Sequence, residues 1–385
     1  MCPTPEQKII AKAKTIGIDK IGFGTAAPFE ELLEGLYEQK KNNHTSGFEH
    51  PIIEERIYPQ LVYDHPKSFI SVALAYPTQM KEIPLREKGK RRGSFARVSW
   101  GVDYHVLLRE KLDVLVAFLK EEFGTDYYFE PMVDTGVFID TAVAQRCGLG
   151  FIGKNGLLIT KEFGSYVYLG EIITDLKLEP NAIIENGCGE CNRCIDSCPT
   201  GALLGDGRMN AKRCLSYQTQ VRDYIPEEFR KKMGHVIYGC DICQMCCPYN
   251  RGIDFHLHEQ MEPDPEEAMP LLQPLLKVSN REFSQQYGHL SGSWRGKKPI
   301  QRNAIIALAN SRDKSSVPLL LELIENDPRP VIRGTCAWAV SQIMQKDANE
   351  QLLTYLEAAY CKEVDKQTRN EFQKAINLLK KEGPL

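Results

Sequence analysis

The first 178 residues combine two hydrophobic periods. From residue 104 to 123 apolar side chains recur every three or four positions, which predicts an amphipathic helix with Leu108, Leu112, Leu115 and Leu119 on its buried side. The continuous apolar run at residues 69–75 predicts a buried strand, and the branched and aromatic residues at 166–178 predict a strand or hairpin. The pattern indicates a mixed α/β region.

The N-terminus has the sequence of a capped helix. Thr4 and Gln7 have the spacing of a capping box, and Pro5 occupies the first helical position. The predicted apolar side consists of Ile9, Ile10, Ala13 and Ile16. Charged residues interrupt this segment, unlike the apolar core of a signal peptide, and no apolar run approaches the ~18 residues of a membrane span. We therefore expect a cytoplasmic protein without a membrane partner.

The C-terminal part contains a short internal sequence repeat. Residues 302–308 (RNAIIAL) resemble residues 333–340 (RGTCAWAV), and Asp327-Pro328-Arg329-Pro330 makes a turn before the second copy. This pattern predicts short HEAT-like helical repeats, whose concave faces often bind an extended partner. An unrelated pair of packed helices is the alternative.

Composition then directs attention to metal. The chain has 385 residues, a net charge of −3 and 13 cysteines. At ~100 to 200 residues per domain, this length suggests two or three domains. Cytoplasmic thiols stay reduced, so a cysteine cluster indicates metal binding rather than disulfides.

Most cysteines lie in one segment. The run Cys188-x2-Cys191-x2-Cys194-x3-Cys198-Pro199 has the bacterial ferredoxin spacing, in which three thiolates bind one [4Fe–4S] cluster and the fourth binds another. By this crossing pattern one predicted cluster is bound by Cys188, Cys191, Cys194 and Cys247, and the other by Cys198, Cys214, Cys240 and Cys243. Cys247 is preferred to Cys246 because Pro248 follows it directly. Structural zinc is the alternative, since Cys-x2-Cys pairs also bind zinc.

Two other motifs fall short of their patterns. The loop Gly148 to Asn155 resembles a phosphate-binding loop, but Asn155 replaces the Ser or Thr that would bind magnesium. Asp103-Tyr104-His105 matches only the start of a corrinoid-binding motif, because Leu108 stands where glycine is expected. Neither motif predicts a site by itself.

Asp134 precedes an apolar segment, residues 137–147, that is predicted to be helical. It has two interpretations. It is either the N-cap of that helix, or a proton donor at a cleft edge, which would require a raised pKa.

The ferredoxin run, the segment 131–136 (PMVDTG), the loop 150–156 (GFIGKNG) and the repeat-bearing tail together resemble the epoxyqueuosine reductase family over nearly the whole chain. That family uses cobalamin to reduce the epoxide of epoxyqueuosine to the alkene of queuosine at the wobble position of tRNA. The resemblance implies an oxidoreductase with an α+β multidomain fold. Its expected parts are an α/β cobalamin-binding catalytic domain (1–178), a ferredoxin-like domain with two [4Fe–4S] clusters (179–255) and a HEAT-like tRNA-binding domain (256–385).

The resemblance also implies roles for single residues. Asp134 matches the proton donor of the family, and Arg97, Asp134, Ser216 and Asp241 match residues that contact cobalamin. A surface charge or a turn hydroxyl is the alternative interpretation of Arg97, Ser216 and Asp241. The clusters would pass electrons singly to cobalamin from an external ferredoxin- or flavodoxin-type donor, and the chain is expected to act as a monomer.

A basic segment precedes the helical repeat. Trp294 is followed by Arg295, Lys297, Lys298 and Arg302, which we expect to bind tRNA phosphates while the indole stacks on an unpaired base. A solvated basic loop has the same composition.

Two other functions stay open for the whole chain. One is a corrinoid and iron–sulfur reductase of a small molecule, like a reductive dehalogenase, and the other is a non-catalytic ferredoxin-type electron carrier.

Overall fold

The computed structural model describes residues 2–85, 87 and 89–382, and the chain forms two compact units. The first unit consists of Met1–Gln79, Val102–Cys214 and Asp241–Glu262, and the second of Met80–Gly101, Leu215–Cys240 and Pro263–Leu385. Each unit is therefore assembled from three separate segments of the chain. The division into three domains at residues 178 and 255 stays a prediction.

The regular elements alternate along the chain. The strands are β1 (Lys20–Thr25), β2 (Ser68–Ala75), β3 (Ser94–Phe95), β4 (Phe129–Met132), β5 (Phe151–Ile152), β6 (Leu158–Ile159), β7 (Val167–Thr174) and β8 (Val236–Tyr238). The helices are α1 (Pro5–Thr15), α2 (Glu30–Lys41), α3 (Ile53–Ile57), α4 (Tyr104–Phe123), α5 (Asp140–Arg146), α6 (Arg193–Ser197), α7 (Leu215–Gln220), α8 (Glu227–Arg230), α9 (Ile242–Met245), α10 (Pro265–Ala268), α11 (Leu272–Lys277), α12 (Asn280–Tyr287), α13 (Lys297–Asn310), α14 (Val317–Asn326), α15 (Pro330–Met344), α16 (Glu350–Lys362) and α17 (Lys366–Glu382).

The core of the first unit is a four-stranded sheet in the order β1-β2-β7-β4, with antiparallel neighbours throughout. All eight residues of β2 are buried. Side chains alternate between the two faces of a strand, so Phe69 and Ile173 pack in one cluster with residues of α5. On the opposite face, Gly170 lies against leucines of α4. The predicted strands at 69–75 and 166–178 and the predicted helix at 104–123 are confirmed.

The N-terminal helix has the predicted capping box. The Thr4 hydroxyl accepts a hydrogen bond from the Gln7 backbone N–H, and the Gln7 side chain accepts one from the Thr4 backbone N–H. Ile9 and Ala13 are buried, but Ile10 is 44% exposed. The prediction for Ile10 is therefore wrong, because a residue adjacent to Ile9 is turned about 100° from it around a helix.

The second unit is mainly helical. Helices α13 and α15 contain the two repeated segments, pack on one another and contribute most of their residues to the core. Helix α14 packs on α15, and α17 packs on both α15 and α16. This arrangement confirms the predicted helical repeats. Within the described residues, no helix has both the length and the apolar character needed to span a membrane.

Candidate functional site

Asp134 lies in the turn between β4 and α5. Its φ angle of 53° is in the left-handed region, which Asp tolerates better than most residues. Helix α5 begins at Asp140, and Ile139 occupies its N-cap position. The N-cap interpretation of Asp134 is therefore wrong. The Asp134 side chain is 58% exposed, so its carboxyl group is accessible from solvent.

A histidine lies beside this carboxyl group. His105 Nε2 is 3.2 Å from Asp134 Oδ2, and His105 Nδ1 is 2.7 Å from Asp103 Oδ1. Asp103 is the N-cap of α4, and its Oδ1 also accepts a hydrogen bond from the His105 backbone N–H. The hydrogen bonds to Asp103 and Asp134 raise the pKa of His105 to about 9. His105 is therefore an imidazolium at neutral pH, and both ring nitrogens donate.

Aromatic rings fix the orientation of this imidazolium. The Tyr104 ring stacks on the His105 ring at a centroid distance of 4.1 Å, and on Tyr168 at 4.4 Å with the planes 4° apart. Tyr168 in turn packs on Tyr76 at 4.5 Å. Because the row is closely stacked, the His105 ring cannot rotate freely away from Asp134.

An acidic pair lies on the other side of Asp134. The Asp140 carboxyl group interacts with the Asp134 backbone N–H and contacts the carboxyl group of Glu171, which lies on β7. Asp134 is thus placed between a cation, His105, and a pair of acids of which Glu171 is fully buried.

The predicted cluster ligands share one property. All eight are partly exposed, whereas Cys147 and Cys336 are buried and Cys2 and Cys361 are exposed. The Cys247 thiol lies in the field of Cys188, Cys246 and Cys191, and burial followed by these neighbours raises its pKa. Within the described residues, no three His, Cys, Asp or Glu side chains converge to hold a single metal ion. A cubane cluster binds each thiolate at a separate iron, so its ligands need no single point of convergence.

Hydrogen bonds to sulfur distinguish Cys198. The Ala202 N–H donates to its Sγ at 3.4 Å, and the Thr200 hydroxyl lies 3.5 Å away. Burial opposes ionisation of this thiol, but the hydrogen bonds outweigh burial and lower its pKa. Such an environment favours the thiolate that a cluster iron requires. The assignment of each cysteine to its cluster stays a prediction.

The loop that resembles a phosphate-binding loop has a different role. Lys154 Nζ donates to the Gly189 carbonyl at 2.8 Å and to Asn192 Oδ1 at 2.9 Å. Both acceptors lie between the first cysteines of the ferredoxin run. Lys154 therefore stabilises the cysteine-bearing segment.

The other residues predicted to contact cobalamin are partly exposed. Arg97 opens a short 3-10 turn in the second unit, with its guanidinium 5.6 Å from the centre of the Trp100 ring. Ser216 lies in α7 of the same unit. Asp241 belongs to the first unit and is the N-cap residue of α9. The role of each in cofactor binding stays a prediction.

The basic segment divides into surface and core. Trp294 is 53% exposed, and the Arg295 guanidinium stacks 4.1 Å above its ring. Lys297 and Lys298 are partly exposed. Arg302 is only 1% exposed and donates to backbone carbonyls, including Val221 O at 2.6 Å. The prediction that Arg302 contacts tRNA is therefore wrong, because its donors are occupied in the core.

Sequence reasoning missed four acidic or basic residues of this site. Asp103 and His105 have a usable signal, an N-cap residue followed two positions later by a histidine, which the partial match to a corrinoid motif does not explain. Glu171 is an acid within an otherwise uncharged strand, which was a usable signal. For Asp140 the sequence contained no signal that we can identify.

Comparisons with known proteins identify three family matches along the chain. Family models match residues 56–135 (Epoxyqueuosine reductase QueG, DUF1730), residues 187–250 (4Fe-4S double cluster binding domain) and residues 295–377 (HEAT repeats). The double-cluster match confirms the prediction of two [4Fe–4S] clusters, and the zinc alternative is set aside.

Individual relatives match almost end to end. An epoxyqueuosine reductase of Listeria monocytogenes is 56% identical over 90% of this chain and 91% of its own length. A crystal structure of epoxyqueuosine reductase with an epoxyqueuosine-modified tRNA-Tyr stem loop has a TM-score of 0.94 and 52% identity, covering 97% of this chain and 98% of that one. A Bacillus subtilis epoxyqueuosine reductase with the Asp134 catalytic loop swung out of the active site has a TM-score of 0.93 and 51% identity, with the same coverage. This chain belongs to the epoxyqueuosine reductase family.

Proposed function

We propose that this chain reduces the epoxide of epoxyqueuosine to the alkene of queuosine in tRNA, using two [4Fe–4S] clusters and cobalamin. The observation that carries the proposal is the Asp134 carboxyl group beside the His105 imidazolium, in a chain that also has the double-cluster segment. The relative crystallised with a modified tRNA stem loop supports RNA as the substrate. Removing the epoxide oxygen as water consumes two electrons and two protons, so the site needs both an electron route and an acid.

The exposure of the predicted contact residues supports a bound cobalamin. Asp134 is exposed, and Arg97, Ser216 and Asp241 are partly exposed, so their polar groups can reach a bound molecule. These four residues would hold the cofactor. When bound, cobalamin supplies a low-valent cobalt centre that is nucleophilic toward an epoxide carbon.

Asp134 is the proposed proton donor. It transfers a proton to the epoxide oxygen as the carbon–oxygen bond breaks, which avoids a free alkoxide leaving group. His105 Nε2, which lies 3.2 Å from Asp134 Oδ2, holds the carboxyl group in position during this transfer. Because the pKa of His105 is about 9, this residue also holds a proton at neutral pH that it can return to Asp134.

The tRNA is proposed to contact Trp294, Arg295, Lys297 and Lys298. Cations neutralise phosphates without reading sequence, whereas an exposed indole can stack on an unpaired base of the anticodon loop. An external ferredoxin- or flavodoxin-type protein supplies electrons, and the chain acts as a cytoplasmic monomer. The cysteines of the two clusters are those assigned from the ferredoxin spacing.

The test is anaerobic reconstitution with iron, sulfide and cobalamin, followed by a chemical reductant and tRNA that contains epoxyqueuosine. Nucleoside mass analysis is expected to show loss of one oxygen atom from the modified base. Asp134→Asn should lower turnover by about 10²- to 10⁴-fold and leave the cluster absorbance unchanged. Conversion by Asp134→Asn at the wild-type rate would refute the acid role, and no conversion by the fully loaded wild type would refute the proposed function.

A further inference from the structure

Glu171 is a fully buried acid in the middle of the central sheet. It lies on β7, opposite Ser71 of β2 and Met132 of β4, and its side chain is 0% exposed. The odd-numbered residues of this strand face α5, so Glu171 points toward the start of that helix. An acid at this position has no contact with bulk water.

Neither carboxyl oxygen of Glu171 meets an N–H or O–H donor within the described residues. The group that contacts it is the Asp140 carboxyl group. Two ionised carboxylates contain no hydrogen to share and repel one another. The contact becomes a hydrogen bond when one of the two acids carries a proton.

Asp140 links this pair to the proton donor. It is the first residue of α5, and its carboxyl group interacts with the backbone N–H of Asp134. This interaction spans the turn that holds Asp134 in its left-handed conformation, with a φ angle of 53°. A single residue in this conformation needs such support from its surroundings.

We propose that Glu171 carries a proton that it donates to Asp140, and that Asp140 thereby holds the backbone of Asp134 in place beside His105. Asp140 and Glu171 are positioning residues, not proton carriers of the reaction. The inference rests on the proposed function only in its claim about turnover. The shared proton itself is a property of the folded chain.

The charges around Glu171 and Asp140 favour a proton on Glu171. Burial, and then the negative charges of Asp140 and Asp134, raise the pKa of Glu171 well above its ordinary value. Tyr63 and Cys147 also lie within electrostatic range of Glu171, and both are neutral because burial raises their pKa values. His105 is the nearby cation, and it contacts Asp134 rather than the pair. Glu171 therefore retains its proton while Asp140 is ionised.

Matched variants separate positioning from proton transfer. In Asp140→Asn the amide oxygen can still accept from the Asp134 N–H while its NH2 group donates to Glu171, and in Glu171→Gln the amide donates to Asp140. Asp140→Ala removes both bonds. We expect Asp140→Ala to lower kcat by about 100-fold with the KM for tRNA unchanged, because misplaced catalytic groups cost about that factor. Both amide variants should retain kcat within a few-fold, and thermal unfolding should confirm that all three variants are folded.

Unchanged kcat in Asp140→Ala would overturn the proposal. An equally large loss of kcat in Glu171→Gln and in Asp140→Ala would also overturn it, because that result would mean that the proton is transferred through the pair during the reaction. A second readout needs no substrate. The infrared difference spectrum between wild type and Glu171→Gln at neutral pH should contain the carbonyl stretch of one protonated carboxylic acid, and its absence would overturn the shared proton. If the wild type fails to convert tRNA, the proposed function fails while the infrared result still decides the state of the pair.

Discussion

The two units each bury an ionisable side chain, but they stabilise it in opposite ways. In the second unit, Arg302 donates to the backbone carbonyls of residues 218, 219, 221 and 223 and to Asn303 Oδ1. Burial, and then the nearby Arg230, lower the pKa of Arg302 to about 9, which leaves it charged at neutral pH. In the first unit, Glu171 faces another acid, and burial raises its pKa. The arginine keeps its charge because carbonyls replace water, whereas the acid loses its charge by retaining a proton.

This difference follows from the role of each residue. Gln218 and Thr219 lie at the end of α7, where free carbonyls and the helix dipole attract a cation. Arg302 thereby anchors the helix that carries Ser216. Glu171 anchors Asp140 instead, and a neutral acid is suited to that task because it can donate a hydrogen bond.

The largest effect on stability is expected from Arg302→Met. Methionine fills similar space but leaves several buried carbonyls without donors, at about 1–3 kcal/mol each, so we expect a loss of about 3–5 kcal/mol. The three tryptophans, Trp100, Trp294 and Trp338, all belong to the second unit. Urea unfolding followed by tryptophan fluorescence therefore reports on this unit. Lys298→Met is the matched control, with an expected change below about 0.5 kcal/mol; equal midpoints for the two variants would contradict the structural role of Arg302.

A buried ion pair in the same unit should respond less strongly. Arg230 Nη1 lies 2.6 Å from Glu371 Oε2, and the side chains are 3% and 6% exposed. Glu371→Gln leaves the arginine charge uncompensated, and we expect a loss of about 3 kcal/mol in the same urea experiment. The control is Glu357→Gln, which removes an exposed pair with Lys380 and should cost less than about 1 kcal/mol. If both variants lose the same free energy of unfolding, burial does not determine how much these ion pairs stabilise the chain.

Glu171→Gln should have a smaller effect of opposite sign. Because the pKa of Glu171 is raised in the folded chain, its contribution to stability is complete at acidic pH and is lost as pH rises through the folded value. Glutamine removes this dependence, so relative to wild type the variant should gain about 1.4 kcal/mol for each pH unit between pH 5 and the folded pKa. Hydrogen exchange of the β7 amides, compared between the two proteins at each pH, measures this gain. A constant difference across the pH range would show that Glu171 does not hold a proton.

The ferredoxin segment could be predicted from sequence because its ligands are close in the chain. Turns of two or three residues determine where the thiols lie, so the spacing of the cysteines alone predicts that they bind clusters. The site around Asp134 depends instead on strand pairing and helix packing. His105 approaches it from the start of α4, and Glu171 approaches from β7 through Asp140. Pairs of this kind, 29 or more residues apart, have no spacing that a sequence reveals.

Arg302 was misassigned because composition does not distinguish a surface cation from a buried one. The internal sequence repeat contained a signal that Arg302 is structural. Arg333 occupies the corresponding position in the second copy, where its guanidinium binds Glu363 through Nε and Nη2 at 2.7 and 2.8 Å. An arginine repeated at the same place in two packed helices indicates a structural role.

The smallest effect on stability is expected from Arg295→Ala, seven residues before Arg302 in the same basic segment. Burial and then Arg222 lower the pKa of Arg295, which shows a second cation nearby, and its guanidinium lies over the exposed Trp294 ring. We expect a change below about 0.5 kcal/mol in urea. Binding of an anticodon stem loop should weaken, and the slope of log affinity against log salt should fall by about one because one phosphate contact is lost. Lys314→Ala, a change at an exposed lysine of the same unit, is the control and should leave the slope unchanged. An unchanged slope in Arg295→Ala would remove this surface from the proposed RNA contact and leave Arg302 and Arg295 different only in burial.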